Sequence, residues 1–130
     1  MSYSTEVIDA GKGILHIGRD TVSGNELLAS ANRILDMVKK GFSPSYAITD
    51  LGEVVDFHVT AEEIRLNAEI NISISKYLPR ARIAIIASRN HIYGIARMWE
   101  AYAQRTGWAI RVFRDKNEAL AWVKAEISDE

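Results

Sequence analysis

The sequence predicts an α/β fold: a single mixed, mostly parallel five-stranded sheet with about four helices, in the order ββαβαβαβα. Three observations carry this prediction. Residues 81–123 read in turn as strand, helix, strand and helix: RIAIIAS, NHIYGIARMWEAYAQRTG, WAIRVFRD, KNEALAWVKAEI. The run 83–87 is apolar at every position, which suits a parallel strand buried on both faces beneath helices. Two boxes of the same spacing, Ser23-Gly-Asn-Glu26 and Thr60-Ala-Glu-Glu63, each open a helical stretch further upstream.

Taken in order, residues 4–19 hold two short apolar stretches, EVID and GILHIGR, parted by Ala10-Gly11-Lys12-Gly13. Two close glycines between strand-like runs predict an antiparallel hairpin. The first helix starts at Ser23, whose hydroxyl can accept from the Glu26 amide while the Glu26 carboxylate reaches back. Its apolar positions Leu27, Leu28, Ala31, Ile34, Leu35 and Val38 recur at threes and fours. Lys39 and Lys40 suit the negative end of its dipole, and Gly41 can end it. A turn at Ser43-Pro44-Ser45 leads to a third strand over 46–51, ended by Gly52, and then to a loop over 52–59.

The second helix starts at Thr60. Residues 70–75, INISIS, alternate as a strand would, yet Leu66, Ile70, Ile74 and Tyr77 share a helix face and nothing breaks the helix before Pro79. A helix is expected, since a crossover is needed between parallel strands. The fourth strand covers 82–88, and Arg89-Asn90 forms a turn or cap. The next helix carries Ile92, Ile95, Met98, Trp99 and Tyr102 on one side and stops at Gly107. A fifth strand covers 108–113. Asp115 or Asn117 opens the last helix, with Ala119, Leu120, Trp122, Val123 and Ile127 as its apolar set and a frayed Ser128-Asp129-Glu130 after it.

The 130 residues, 1–130, are expected to form one domain with its core over about 6–123, large enough to fold without disulfides or metals. With 16 basic and 17 acidic residues the net charge is −1, so no whole-chain field steers the protein toward nucleic acid or an anionic membrane. The absence of cysteine removes disulfides, thiolate nucleophiles and Cys-ligated metals together. No cofactor and no metal site is implied. The start MSYSTEVIDAGKG lacks a basic region followed by an apolar core, and no apolar run approaches the ~20 residues of a membrane span, so a cytoplasmic protein is expected.

The element order, together with Tyr46-Ala-Ile-Thr-Asp-Leu-Gly, Arg82-Ile-Ala-Ile-Ile and Val112-Phe-Arg-Asp-Lys-Asn-Glu-Ala-Leu-Ala-Trp-Val, resembles the SpoIIAA-like branch of the STAS fold. That group takes its name from bacterial anti-sigma factor antagonists and is related in shape to lipid-carrier domains of the Sec14 or CRAL-TRIO kind. The resemblance implies a small, cytosolic, non-enzymatic module that pairs with itself or with a partner protein. In the phosphorylated antagonists a serine near the start of the second helix is the switch, with an aspartate beside it. The corresponding stretch here, from Asp50 to Thr60, holds no serine. Its only hydroxyl is Thr60, placed first of all as a cap.

Candidate sites follow from these positions. Asp50 stands at the carboxyl end of a parallel strand, where open α/β sheets bind ligands. Asp56, His58 and Thr60 can converge where the second helix begins, forming with Asp50 a regulatory or partner-binding loop. Ser88, Arg89, Asn90, His91, Arg114 and Asp115 complete that rim of the sheet, but no pair has a spacing diagnostic of catalysis and the three histidines show neither HxH nor HExxH. His16, between Leu15 and Ile17, reads as a surface or satisfied core residue. Asn71-Ile72-Ser73 matches a glycosylation sequon only by accident. Leu66, Ile70, Ile74 and Tyr77 form a possible apolar-ligand or dimer surface, and the aromatic weight of Trp99, Tyr102, Trp108, Phe113 and Trp122 reads mostly as core. Arg97, Arg105, Arg111 and Arg114, dispersed among acids, read as a solvated face. The leading expectation is a non-catalytic regulatory module that binds a protein partner and forms a homodimer. The alternative is a carrier or sensor of a small apolar ligand, and an enzyme ranks last.

Overall fold

Strand order decides which face of the sheet each helix covers. In the computed structural model, which describes residues 2–128 and side chains as far as Ala125, the chain runs β1 (Tyr3–Ile8), β2 (Gly13–Ser23), α1 (Gly24–Lys39), β3 (Tyr46–His58), α2 (Ala61–Ser75), β4 (Arg82–Ile86), α3 (Asn90–Tyr102), β5 (Ala109–Phe113) and α4 (Lys116–Ser128). The five strands lie side by side in chain order, β1 antiparallel to β2 and the rest parallel. Every crossover therefore steps to the next strand in the same direction. The right-handed rule then puts α1, α2 and α3 all on one face, called here the front. α4 is not a crossover between two described strands, and it packs on the back.

The buried residues divide accordingly. Ile14, Ala47, Leu51, Ile83 and Ile85 face forward and pack with Ile34, Val38, Ile74, Ile92 and Ala96 of the three crossover helices. Tyr46, Ile48, Ala84, Ile86 and Phe113 face backward against Ala119 and Val123 of α4. Neighbours in β3 and β4 alternate between the two layers, which is why 46–48 and 83–86 are apolar at every position.

Both capping boxes form. The Ser23 side chain accepts from Glu26 N at 3.3 Å and the Glu26 carboxylate accepts from Ser23 N at 3.1 Å. The Thr60 box is its counterpart at 3.1 and 2.9 Å. Each cap stabilises its helix by about 1 kcal/mol. Residues 70–75 are helical, as the cap and the lack of a breaker required. The hairpin forms too, its connection holding Asp9, Ala10 and Gly11 all at positive φ.

Three expectations need correction. Residues 52–58 are not a loop: β3 continues to His58, pairing Glu53 to His58 with Arg19 to Ser23 of a longer β2. Gly52 does not end the strand. The two strands extend together because Gly18 lets the Val54 side chain come closer than a Cβ would permit. The fourth strand ends at Ile86, with Arg89 capping α3 by backbone alone. On α3 the core stripe is Ile92, Ala96 and Trp99, continued by Ala103, while Met98 and Tyr102 are exposed. Asp115 opens α4, accepting from Glu118 N at 3.0 Å. The expectations for the Ile127 side chain and for Asp129 and Glu130 lie outside the described residues. Among the described residues no helix is long and apolar enough to cross a membrane.

Candidate functional site

The front layer is not filled. Between the sheet and α1, α2 and α3 lies a cavity of about 120 Å³, walled by apolar side chains such as Ile14, Ile34, Leu51, Ile74, Ile85 and Trp108. Into it also face polar residues that no apolar pattern announces: Tyr3, His16, Ser30, Thr49, Asn67 and Asn71. None of the lining residues carries a formal charge when His16 is neutral.

Strand register gathers the first group. Thr5 of β1 stands opposite His16 of β2, and His16 opposite Thr49 of β3, so all three share the front face. The His16 Nδ1 lies 2.8 Å from the Thr5 hydroxyl, which lies 2.8 Å from the Ser30 hydroxyl of α1. The Tyr3 ring stacks on the imidazole at 5.6 Å, and its hydroxyl pairs with the Thr49 side chain. Burial pushes the Tyr3 phenol well up, and burial first with the Arg33 charge second brings His16 down to about 4. Both therefore stay neutral at physiological pH. Among the described residues nothing hydrogen-bonds to the His16 Nε2.

The second group ties the helices together. The Asn67 amide donates to Leu27 O of α1 at 3.0 Å, while its carbonyl accepts from Trp99 Nε1 of α3 at 2.8 Å and from Asn71 Nδ2 at 3.1 Å. Asn67 and Asn71, one helical turn apart, thus make α2 the hub of the helical layer, and Asn71 gives its second bond to Asn67 O. The Asn71 of the sequon is thereby an interior residue.

The structure does not gather the four residues expected to form one regulatory loop. Asp50 points to the back, accepting from Gly52 N at 3.0 Å and pairing with Lys116 of α4 at 3.5 Å. It stands roughly 20 Å along β3 from Asp56, six residues further on. Asp56 and His58 do meet, at 3.1 Å, on exposed side chains. Thr60 follows with its hydroxyl engaged by Glu63, whose carboxylate lies so close to Gly24 that no Cβ fits there. The two helix starts are therefore neighbours. Phe57, between Asp56 and His58, points the other way and lines the cavity.

The expected ligand or dimer surface also splits. Ile74 is buried on the cavity wall, Leu66 and Ile70 line a shallow outer groove with Leu28 and Leu35 of α1, and Tyr77 is exposed. At the rim, Arg114 bonds Ser88 O and Asn90 Oδ1 and lies over the Tyr93 ring, while the His91 imidazole meets Val55 O at 2.9 Å. Trp108 and Phe113 are core and Trp99 lines the cavity, whereas Tyr102 is exposed. Arg97 and Arg105 are solvated and paired with Glu100 and Glu69.

The polar end of the cavity escapes the sequence reading because His16 and Asn71 are taken there one at a time and Asn67 is not singled out. A signal existed: His16 shares its strand face with Ile14, and Asn67 and Asn71 share a helix face with Ile64 and Ile74. Polar residues on a core-facing stripe must be satisfied internally or meet a ligand.

No family model matches the chain, and no curated protein matches it. Several solved structures share its fold. One is an uncharacterized protein of the DUF3478 family with a SpoIIAA-like fold, from Shewanella loihica PV-4, at a TM-score of 0.59 and 16% identity over 93% of this chain and 91% of that one. Another is the anti-sigma factor antagonist SpoIIAA in its unphosphorylated form, at a TM-score of 0.58 and 8% identity over 94% and 97%. The chain has a SpoIIAA-like, STAS-type fold.

Proposed function

We propose that this protein is a non-catalytic regulatory module of the STAS type, which takes a small, largely apolar molecule into the front cavity and presents its occupancy to a protein partner around Asp56, His58 and Thr60. The observation that carries this reading is the placement of Phe57, on the cavity wall between two exposed neighbours. A ligand that moves the Phe57 ring acts on the backbone carrying Asp56 and His58. The same ligand touches α2 through Asn67, Asn71 and Ile74, and α2 starts at Thr60. Such coupling shifts a population only as far as the ligand prefers one arrangement of this segment over another. Asp50 has no part in this output, being engaged with Lys116 on the opposite layer.

Native and denaturing mass spectrometry of protein purified without added ligand, combined with hydrogen exchange before and after unfolding and refolding, tests the reading. The expected result is a small mass released on denaturation, with amides 57–64 exchanging faster once it is gone. A released mass with unchanged exchange at 57–64 would leave a carrier without the regulatory output. No released mass, with identical exchange in both samples, would count against an occupied cavity altogether.

A further inference from the structure

The chemistry of the cavity wall narrows what can sit inside it. This deepens the proposed ligand reading and rests on it. We propose that the cavity is selective for an uncharged molecule with a body about the size of one aromatic ring and a single hydroxyl or carbonyl group, which it holds at the end formed by His16, Tyr3 and Thr49, and that it refuses carboxylates.

Size sets the body. A cavity of about 120 Å³ is of the order of the apolar cavities, about 150 Å³, that stay dry and take up benzene. Long acyl chains do not fit without the helices parting. Most of the wall is aliphatic and aromatic, so the occupant must be apolar over most of its surface.

The polar end sets the head group. The Nδ1 of His16 is engaged by Thr5, so the Nε2 is the imidazole atom left for a ligand, and no described residue bonds it. Whichever tautomer is present, that atom can take one hydrogen bond, as donor or acceptor, and a hydroxyl can complement either. The Tyr3 and Thr49 hydroxyls lie on the same wall.

Charge sets the exclusion. No lysine or arginine lines the cavity. Arg33, whose charge is felt at His16, is exposed and spends a donor on Thr5 O at 3.3 Å. The Glu26 carboxylate accepts from Tyr3 N at 3.2 Å and repels a second anion. A buried anion would lose its hydration and find no counter-charge on the cavity wall, which costs several kcal/mol or forces it to bind as the neutral acid. This separates the site from one that receives a fatty acid by its carboxylate.

Phenol, benzene and benzoate at pH 7 form the test set, titrated by calorimetry into protein refolded free of cargo. Phenol is expected to bind about tenfold more tightly than benzene, the worth of one net hydrogen bond, and benzoate at least about a hundredfold more weakly than phenol. In H16L, shown by circular dichroism to be folded, the ratio of phenol to benzene affinity is expected to fall to about one; T49V provides a second, milder probe of the same end. Benzoate binding as tightly as phenol would overturn the neutral-ligand inference while leaving the cavity reading in place. Phenol preference surviving in both variants would overturn the assigned polar end. Binding of none of the three by the refolded protein would overturn the cavity reading itself.

Discussion

The two faces of one sheet have been packed to different ends. Behind it, Tyr46, Ile48, Ala84, Ile86 and Phe113 meet Ala119 and Val123 in a dry layer, with Trp122 tilted against Phe113 at 5.8 Å. Polar groups there stay at the margin: the Tyr46 hydroxyl donates to Asp9, and Asp50 meets Lys116. In front, three helices enclose a cavity with hydroxyls, amides and an imidazole inside. Connectivity explains the contrast. A crossover helix is held in place by the two strands it joins, whereas α4, among the described residues, follows a single strand, β5, and packs flat on the back of the sheet. What the back layer contributes is stability, and what the front layer gives up in packing becomes room for chemistry.

Adjacent residues of β4 offer the sharpest way to break this comparison. Ile86 faces the dry layer and Ile85 the cavity. Truncating a buried isoleucine costs about 2–5 kcal/mol, more where neighbours already pack tightly. Denaturant unfolding is expected to place I86A near the top of that range and I85A near the bottom; the reverse order would mean that the front is as well packed as the back.

A pH titration comes next. Burial keeps the folded-state His16 neutral down to about 4, while an unfolded histidine protonates near 6.5. Between those values the unfolded chain binds a proton that the folded chain refuses. His16 should therefore make stability fall as the pH drops from about 6.5 to about 4, by on the order of 3 kcal/mol, and level off below. The His16 share of that slope should disappear in H16L. Equal slopes in the two proteins would show that the imidazole is not shielded in the front layer.

The smallest effect is one of sign. Ala119, fully buried under the back of the sheet, has no space beside it, and A119L is expected to lower stability by about 1–3 kcal/mol. Ala31 of α1 lines the cavity, so A31L is expected to be neutral or stabilising by about 1 kcal/mol while excluding phenol. Paired thermal melts with and without phenol separate the two outcomes.

Much of the fold was legible from local signals. The capping boxes at Ser23 and Thr60, the apolar run of β4 and the order of the elements report interactions within a few residues, so their chemistry is written in adjacent letters. Residues 52–58 show where that logic fails. Gly52 reads as a terminator, but it stays in the strand because the partner strand is extended too and Gly18 makes room for Val54, a contact between residues 36 positions apart in the chain. The weakly patterned α2 misleads similarly, since its inward face carries Asn67 and Asn71, which look solvent-facing until α1 and α3 are in place to accept and donate.

By itself, then, the sequence determined the class of the protein, the sheet with its helices and the starts of α1 and α2, because periodicity and capping are short-range. Only the tertiary structure decided that Asp50 pairs with Lys116 of α4 while Asp56 meets His58 far along the same strand, that Phe57 turns inward beside an exposed Asp56 and His58, and that His16 meets Thr5, Ser30 and Tyr3 at the end of a cavity. Those relations join β1, β2, β3 and two helices. They come into being when strand register and the common side of the crossovers are fixed, and no stretch of the chain holds them alone.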